Sequence, residues 1–315
     1  MIGYTKTSSD VISVTFAARE LYENITLENL EFYRKDKENK YEIWSLYIIA
    51  CIKLLKKAKK SLVREQRLQR TLLVFEEAKD GGHLTSDLYI KWIDVLFNSG
   101  SPDKALVMSK SAIETYPGSL ELWNKRLSLL ISSGESIDKI QDELKQAQKS
   151  VPQTETWSLV QLVLNHAMKI DAVDTTVRLL ESSMIGRSEL SSPAKEVYLE
   201  YEYLKHGIQH ARKIYNRVLQ FKPVSLQFYK SYISMELSQA NPKMKIIRSV
   251  YEEAVTEHGS KNPDIWLEFI KLESNHSKGK PENVGKLHYR AVKALDGALN
   301  QEFIKKYTLL QTNSC

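Results

Sequence analysis

Asn262-Pro263-Asp264-Ile265-Trp266-Leu267-Glu268-Phe269-Ile270-Lys271-Leu272-Glu273, a polar break over residues 274–282, and then Lys286-Leu287-His288-Tyr289-Arg290-Ala291-Val292-Lys293-Ala294-Leu295 form the stretch on which the reading of this chain turns. Ile265, Phe269 and Leu272, with Trp266 and Ile270 beside them, follow the i, i+3, i+4, i+7 spacing of one helical face. Pro263 suits a first helical turn, where its missing N–H costs nothing, and Asn262 or Asp264 can cap. Asn275, Gly279 and Pro281 interrupt the pattern, and Leu287, Val292 and Leu295 resume it. The stretch therefore reads as helix, turn and helix. Neither helix can bury its apolar stripe alone, so the pair implies neighbours.

The neighbours lie upstream. Residues 225–255 repeat the layout, with Tyr229, Tyr232 and Glu236 in one helix and Ile247-Arg248-Ser249-Val250-Tyr251 in the next. Residues 194–219 carry Tyr198 and Tyr201, then Ala211-Arg212-Lys213-Ile214-Tyr215-Asn216-Arg217-Val218-Leu219. Taking the aromatic that opens each first helix gives Trp44, Trp92, Trp123, Trp157, Tyr198, Tyr229 and Trp266. Most gaps fall between about 30 and 40 residues, the period of two-helix repeats. The longer step from Trp44 to Trp92 reads as an insertion. Tyr215, Tyr251 and Tyr289 mark the second helices, with Phe75 and Tyr22 as looser members. These aromatics lie on apolar stripes and are expected in the inter-helix core.

An aromatic, a second aromatic three later and Glu seven later, then Ala-Arg-x-Ile-Tyr-x-Arg-x-Leu and a Pro, resembles the half-a-tetratricopeptide (HAT) repeat. Trp266/Phe269/Glu273 and Tyr229/Tyr232/Glu236 fill the first part. Ala211/Arg212/Ile214/Tyr215/Arg217/Leu219 with Pro223 fill the second. Trp92, Trp123 and Trp157 keep the aromatic without the Glu or the Ala-Arg signature. Within HAT proteins, the last repeats resemble the C-terminal half of the U three small nucleolar RNA-associated protein 6 family, small-subunit processome components. Asp264-Ile265-Trp266, the linker Asn275-His276-Ser277-Lys278-Gly279-Lys280-Pro281-Glu282-Asn283 and Tyr289-Arg290-Ala291 carry that likeness. The resemblance implies a non-enzymatic scaffold of the nucleolar processome and U three snoRNP, acting in 18S pre-ribosomal RNA processing through protein–protein contacts. It implies processome and snoRNP proteins as partners, a nuclear and nucleolar location, and RNA contact as secondary. A HAT scaffold of splicing or 3′-end cleavage is the alternative within the repeat class, and a direct RNA-binding module using the Lys53–Arg70 basic face is the alternative outside it.

The expected fold is all-α: one α-solenoid of antiparallel helix pairs over 1–315, with about seven repeats. Within it, 1–30 reads as a partial first repeat, 31–184 as divergent repeats and 185–193 as a seam. Residues 194–299 read as well-marked repeats and 300–315 as a capping helix whose polar side includes Asn300, Gln301, Glu302, Lys305 and Lys306. With 12 Gly and 8 Pro in 315 residues, breakers are few. A net charge of +6 suits an RNA-rich setting but is far from that of a dedicated nucleic-acid domain. Cys51 and Cys315 are the two cysteines, too few for a disulfide framework or a cysteine zinc site. The most apolar run, 44–55, is too short to span a bilayer.

Lys53, Lys56, Lys57, Lys59, Lys60, Arg64, Arg67 and Arg70, broken by Glu65, form the densest charge. Three readings stand open: a solvated connection and helix face, a nuclear-import sequence over 56–60, or a contact with RNA phosphates or an acidic partner. No aromatic interleaves the lysines, so base stacking has no support.

The sequence contains no Gly-rich phosphate loop, His-Glu-x-x-His or Gly-x-Ser-x-Gly. His206 and His210 are four apart, but Gly207 between them argues against a shared helical face. Glu76-Glu77 and Glu252-Glu253 are adjacent and so point in different directions on a helix. Arg212 and Arg248 each stand three before a tyrosine and are expected to contact a first-helix Glu such as Glu236. No cofactor, metal, membrane or small-molecule substrate is expected.

Overall fold

The computed structural model describes residues 40–185 and 191–312. These form fifteen α-helices, with no strand among the described residues. The fold is all-α and built of helix-pair repeats of the solenoid class. The partial repeat expected over 1–30, with Tyr22, lies outside the described residues, as does Cys315. Among the described residues no helix is long and apolar enough to cross a membrane.

The chain divides into two compact units at Asp171/Ala172. The first holds α1 (Lys40–Lys57), α2 (Ser61–Asp80), α3 (Ser86–Asn98), α4 (Pro102–Thr115), α5 (Leu120–Ser132), α6 (Ile137–Ser150) and α7 (Thr156–Lys169). The second holds α8 (Val173–Met184), α9 (Ser192–His206), α10 (Ile208–Val218), α11 (Leu226–Leu237), α12 (Met244–His258), α13 (Pro263–Asn275), α14 (Val284–Ala294) and α15 (Gly297–Thr312). Residues 186–190, most of the expected seam, are outside the described residues.

Local chemistry sets the starts of these helices. Thr85, Ser119, Ser136 and Ser225 accept the N–H three residues on, and Asn262 accepts that of Asp264. These side chains satisfy donors that a first helical turn leaves open. Asp87, Asp103, Glu121, Asp138 and Asp264 add first-turn negative charge, favourable at the positive end of the helix dipole. Consecutive helices pack as hairpins, such as α1 with α2, α3 with α4 and α9 with α10. Each hairpin then packs on the next within its unit, as α3 does on α5 and α9 on α11.

One buried pattern recurs in the first helix of each repeat. Its opening position is Trp44, Tyr89, Trp123, Val160, Lys195, Tyr229 and Trp266 in successive helices. Three residues on stand Tyr47, Trp92, Arg126, Val163, Tyr198, Tyr232 and Phe269, and seven on stand Cys51, Leu96, Leu130, Ala167, Glu202, Glu236 and Glu273. All twenty-one are buried, because the three positions lie on one helical face. Second-helix aromatics stack across to the next repeat. Phe75 lies on Trp92 at 5.2 Å, Tyr215 on Tyr232 at 4.0 Å and Tyr251 on Phe269 at 4.8 Å between ring centroids.

This pattern corrects several expectations. Trp92 and Tyr198 do not open their helices' buried stripe; they hold its third-on position, one turn later. Trp157 is half-buried in the first turn of α7, one turn before Val160, where the stripe begins. Tyr289 is 68% exposed. Buried Ala291 matches Ala254, three after Tyr251, so the aromatic position in α14 belongs to His288, which packs on Phe303 and Tyr307 of α15. Asn300 does not contribute to the polar outer side of the cap. Its Nδ2 donates to Val292 O at 2.8 Å and Leu295 O at 3.2 Å, closing the C-terminal end of α14. The basic run is mostly helical, since the α1–α2 connection is only residues 58–60.

Candidate functional site

Polar groups concentrate at the junctions between repeats of the second unit. From α10, Arg212 donates Nε to Glu236 Oε1 and Nη2 to Oε2 of α11, both at 2.7 Å. From α12, Arg248 does the same to Glu273 of α13 at 2.7 and 3.0 Å. Both glutamates are fully buried, and a flat guanidinium meets a carboxylate through two parallel bonds only in this fork geometry. Hydrogen bonds donated to their glutamates, with burial opposing, hold both arginines above their ordinary range.

The 275–283 linker folds over the second pair. Arg248 Nη2 also donates to Lys278 O at 2.9 Å, and the Lys280 N–H donates to Glu273 Oε2 at 2.7 Å. A Cβ on Gly279 would lie 2.5 Å from Glu273 O and 2.8 Å from Leu272 O, so the clasp closes only over a glycine. Burial pushes Glu273 up, but the bonds from Arg248, the Lys280 N–H and Asn283 outweigh it and hold the carboxyl below the usual 4.5. A carboxyl whose folded value is depressed stabilises the fold above its unfolded value and loses that contribution as pH falls through the folded one. Opening of α12–α13, followed by hydrogen exchange from pH 6 to pH 3, is therefore expected to ease below about pH 4.5. Glu273→Gln is expected to flatten that dependence; an unchanged slope in the variant would assign the acid response to other carboxyls.

Sequence reasoning missed further members of this network. Glu257 accepts from Tyr229 OH at 2.7 Å, the Val224 N–H at 3.0 Å and Lys222 Nζ at 3.1 Å. His258 Nε2 lies 2.9 Å from Val224 O. Buried Lys195 donates Nζ to Phe221 O at 2.5 Å and Pro223 O at 2.8 Å, fixing the loop before α11. Tyr215 donates to Glu253 at 3.1 Å and Tyr198 to Glu181 at 3.2 Å. Burial first, and then the facing carboxylates, pushes these phenols up, Tyr198 to about 12, so they remain hydrogen-bond donors. In the first unit, Arg126 takes the third-on position of α5 and forks onto Glu143 of α6 at 2.8 and 2.5 Å, with Nη1 3.1 Å from Ser109 Oγ.

Glu202 had a signal in the sequence, since it stands seven after Lys195 as Glu236 does after Tyr229. Thr176 and Leu180 of α8 are buried like Ala211 and Tyr215 of α10, which puts Val177 where Arg212 would be. Glu202 therefore has no arginine fork; His210 Nδ1 lies 3.5 Å from its Oε2. Gly207, at φ +75°, turns the chain so that the His206 and His210 rings approach to 4.7 Å although they sit on separate helices. Among the described residues no group of three His, Cys, Asp or Glu forms a metal site.

The remaining predicted residues fall into two sets. Trp44, Trp123, Tyr229, Trp266, Tyr215 and Tyr251 are core. Trp123 Nε1 donates to Pro117 O at 2.8 Å and Trp266 Nε1 to Gly259 O at 2.9 Å, while the buried Trp92 Nε1 has no hydrogen-bond partner among the described residues. Arg290 lies 5.4 Å over the Trp266 ring and forks onto Glu252 at 2.8 and 2.6 Å. A shallow hollow of about 270 Å³ beside them, lined by Val255, Thr256, Trp266, Arg290, Lys293 and Ala294, is below the usual size of a small-molecule site.

The basic run divides. Arg67 Nη1 donates to Leu54 O at 2.7 Å and Arg70 Nη2 to Tyr47 OH at 3.1 Å, so both tie α2 onto α1. Lys53, Lys56, Lys57, Lys59, Lys60 and Arg64 are exposed.

Compared with known proteins, residues 36–295 match the family described as U3 small nucleolar RNA-associated protein 6 C-terminal. The U3 small nucleolar RNA-associated protein 6 homolog of Mus musculus is 30% identical over 275 residues, 85% of this chain and 45% of the mouse protein. The Homo sapiens homolog is 28% identical over 275 residues, covering 86% and 45%, and that of Dictyostelium discoideum 24% over 241 residues, covering 76% and 37%. This chain thus spans less than half the length of these curated relatives.

Proposed function

The chain belongs to the U3 small nucleolar RNA-associated protein 6 C-terminal family, and from that premise we propose that it is a non-catalytic scaffold of the nucleolar small-subunit processome. It acts with the U3 snoRNP in 18S pre-ribosomal RNA processing, through contacts with other processome and snoRNP proteins. The observation that carries this reading is the fate of the interior charges. Arg212, Glu236, Arg248 and Glu273 all bond one repeat to the next. The groups that could have formed a reactive centre are engaged in holding helix pairs together, which leaves the surface as the working part. A repeat array offers such a surface continuously, because each repeat contacts only its neighbours.

The test is recovery of the tagged full chain from nuclear extract, with and without RNase, read by mass spectrometry. Small-subunit processome proteins that survive RNase are the expected result. Splicing or 3′-end cleavage factors in their place would overturn the assignment to this assembly, and loss of all protein partners on RNase treatment would overturn the protein-contact mechanism.

A further inference from the structure

We infer that Lys53, Lys56, Lys59, Lys60 and Arg64 form a face that binds the phosphate backbone of RNA without reading its sequence. The last turns of α1, the three-residue connection and the first turn of α2 place these five cations within twelve residues, all exposed. None of the five makes an ion pair among the described residues. Glu65, the one acid in the run, accepts from Gln69. The run is therefore a local excess of positive charge rather than a mixed solvated surface.

The placement works against local stability. Lys59, Lys60 and Arg64 stand at the N-terminal end of α2, whose first turn has no acidic residue and no side-chain cap. Cations there oppose the helix dipole, and an anion seated among them relieves the repulsion. Arg67 and Arg70, bonded back to Leu54 O and Tyr47 OH, fix α2 against α1 and so hold the two halves of the face together.

Chemistry selects the anion. Four of the five are lysines, point charges without the planar fork that matches a single carboxylate, and they suit a polymer of repeating phosphates. No aromatic residue lies between positions 53 and 64, so bases are left unstacked and the contact is indifferent to sequence. The face is independent of the scaffold reading, since a protein-held assembly can also touch RNA.

The experiment is fluorescence anisotropy of the full chain with a labelled oligouridylate across a salt series. Neutralising five phosphates on a single strand predicts a slope of log K against log salt of about −3.5. Replacing Lys53, Lys56, Lys59 and Lys60 together with Glu, or with Gln to guard against misfolding, is expected to bring the slope to −1 or shallower. The same charge change at the exposed Lys104, Lys110, Lys149 and Lys169 should leave it near the wild-type value. Equal loss in that control would reduce the effect to net charge and overturn the assignment of the face. Leu62, 71% exposed beside Lys60, supplies the other discriminating arm. RNA binding is expected to be indifferent to Leu62→Ser and to resist competition by polyglutamate. Loss in either arm would make the partner an acidic, apolar-anchored protein instead, and unchanged RNA affinity in both quadruple variants would overturn the inference outright.

Discussion

Arg212→Met is expected to lower the free energy of opening α10–α11 by about 3–5 kcal/mol, because it leaves a buried carboxylate without its cation. Glu236 has no solvent exposure, and once the guanidinium is gone its remaining donor is Tyr232 OH, at 3.1 Å. One neutral hydroxyl cannot offset the desolvation of a full charge, so the helix pair is expected to loosen. The double variant Arg212→Met/Glu236→Leu removes both charges and fills their space with carbon. Buried pairs replaced in this way are often neutral or gain stability, so most of the loss should be recovered. Hydrogen exchange across the two helices reads all three proteins directly, without assuming that the whole chain unfolds in one step. A single variant that loses less than about 1 kcal/mol, or a double variant as weak as the single, would refute this account of the junction.

Trp266→Ala should cost about 3–5 kcal/mol, the range for deleting a large buried aromatic. The side chain is 3% exposed, and its indole N–H satisfies Gly259 O. Removing it opens a cavity, strands that carbonyl and takes away the ring beneath Arg290. Tyr289→Ala, in the facing helix, should change stability by no more than about 0.5 kcal/mol, since an exposed side chain leaves neither cavity nor orphaned partner. Thermal denaturation of both variants beside wild type makes the contrast. A large loss for Tyr289→Ala would mean that the aromatic position of α14 is not His288.

The two substitutions also mark how far the sequence alone carries the fold. Helical period and breakers suffice to place a helix pair at each opening aromatic, because the apolar stripe repeats strongly and the prolines and glycines fall between the stripes. The register of each stripe was less legible. Buried positions three apart share a face, so Trp92 and Tyr198 are equally good aromatics one turn later than the opening position. Where Glu236 and Glu273 stand, a second marker fixes the register. Where Leu96, Leu130 or Ala167 replaces the glutamate, nothing in the spacing distinguishes neighbouring turns. For this reason Trp157 reads as an opening aromatic although it stands a turn before Val160, and Tyr289 reads as the second-helix aromatic because His288 beside it does not look like a tyrosine. The division of the basic run was illegible for a different cause: whether an arginine faces outward or bonds back onto the previous helix depends on how the two helices pack, not on composition.

The valine at position 177 has a consequence for cooperativity. In a chain of units that interact only with their neighbours, the strength of each interface sets how far a local opening spreads. Arg212–Glu236 and Arg248–Glu273 couple α9 through α14 strongly, so an opening at one hairpin raises the chance of opening at the next. Among the described residues the α8–α9 interface has no buried fork; Glu181 of α8 instead accepts from Tyr198 of α9 at 3.2 Å and from Arg217 of α10 at 2.5 Å. Coupling of α8 to the helices that follow therefore rests on apolar packing and on these partly exposed groups rather than on a buried ion pair.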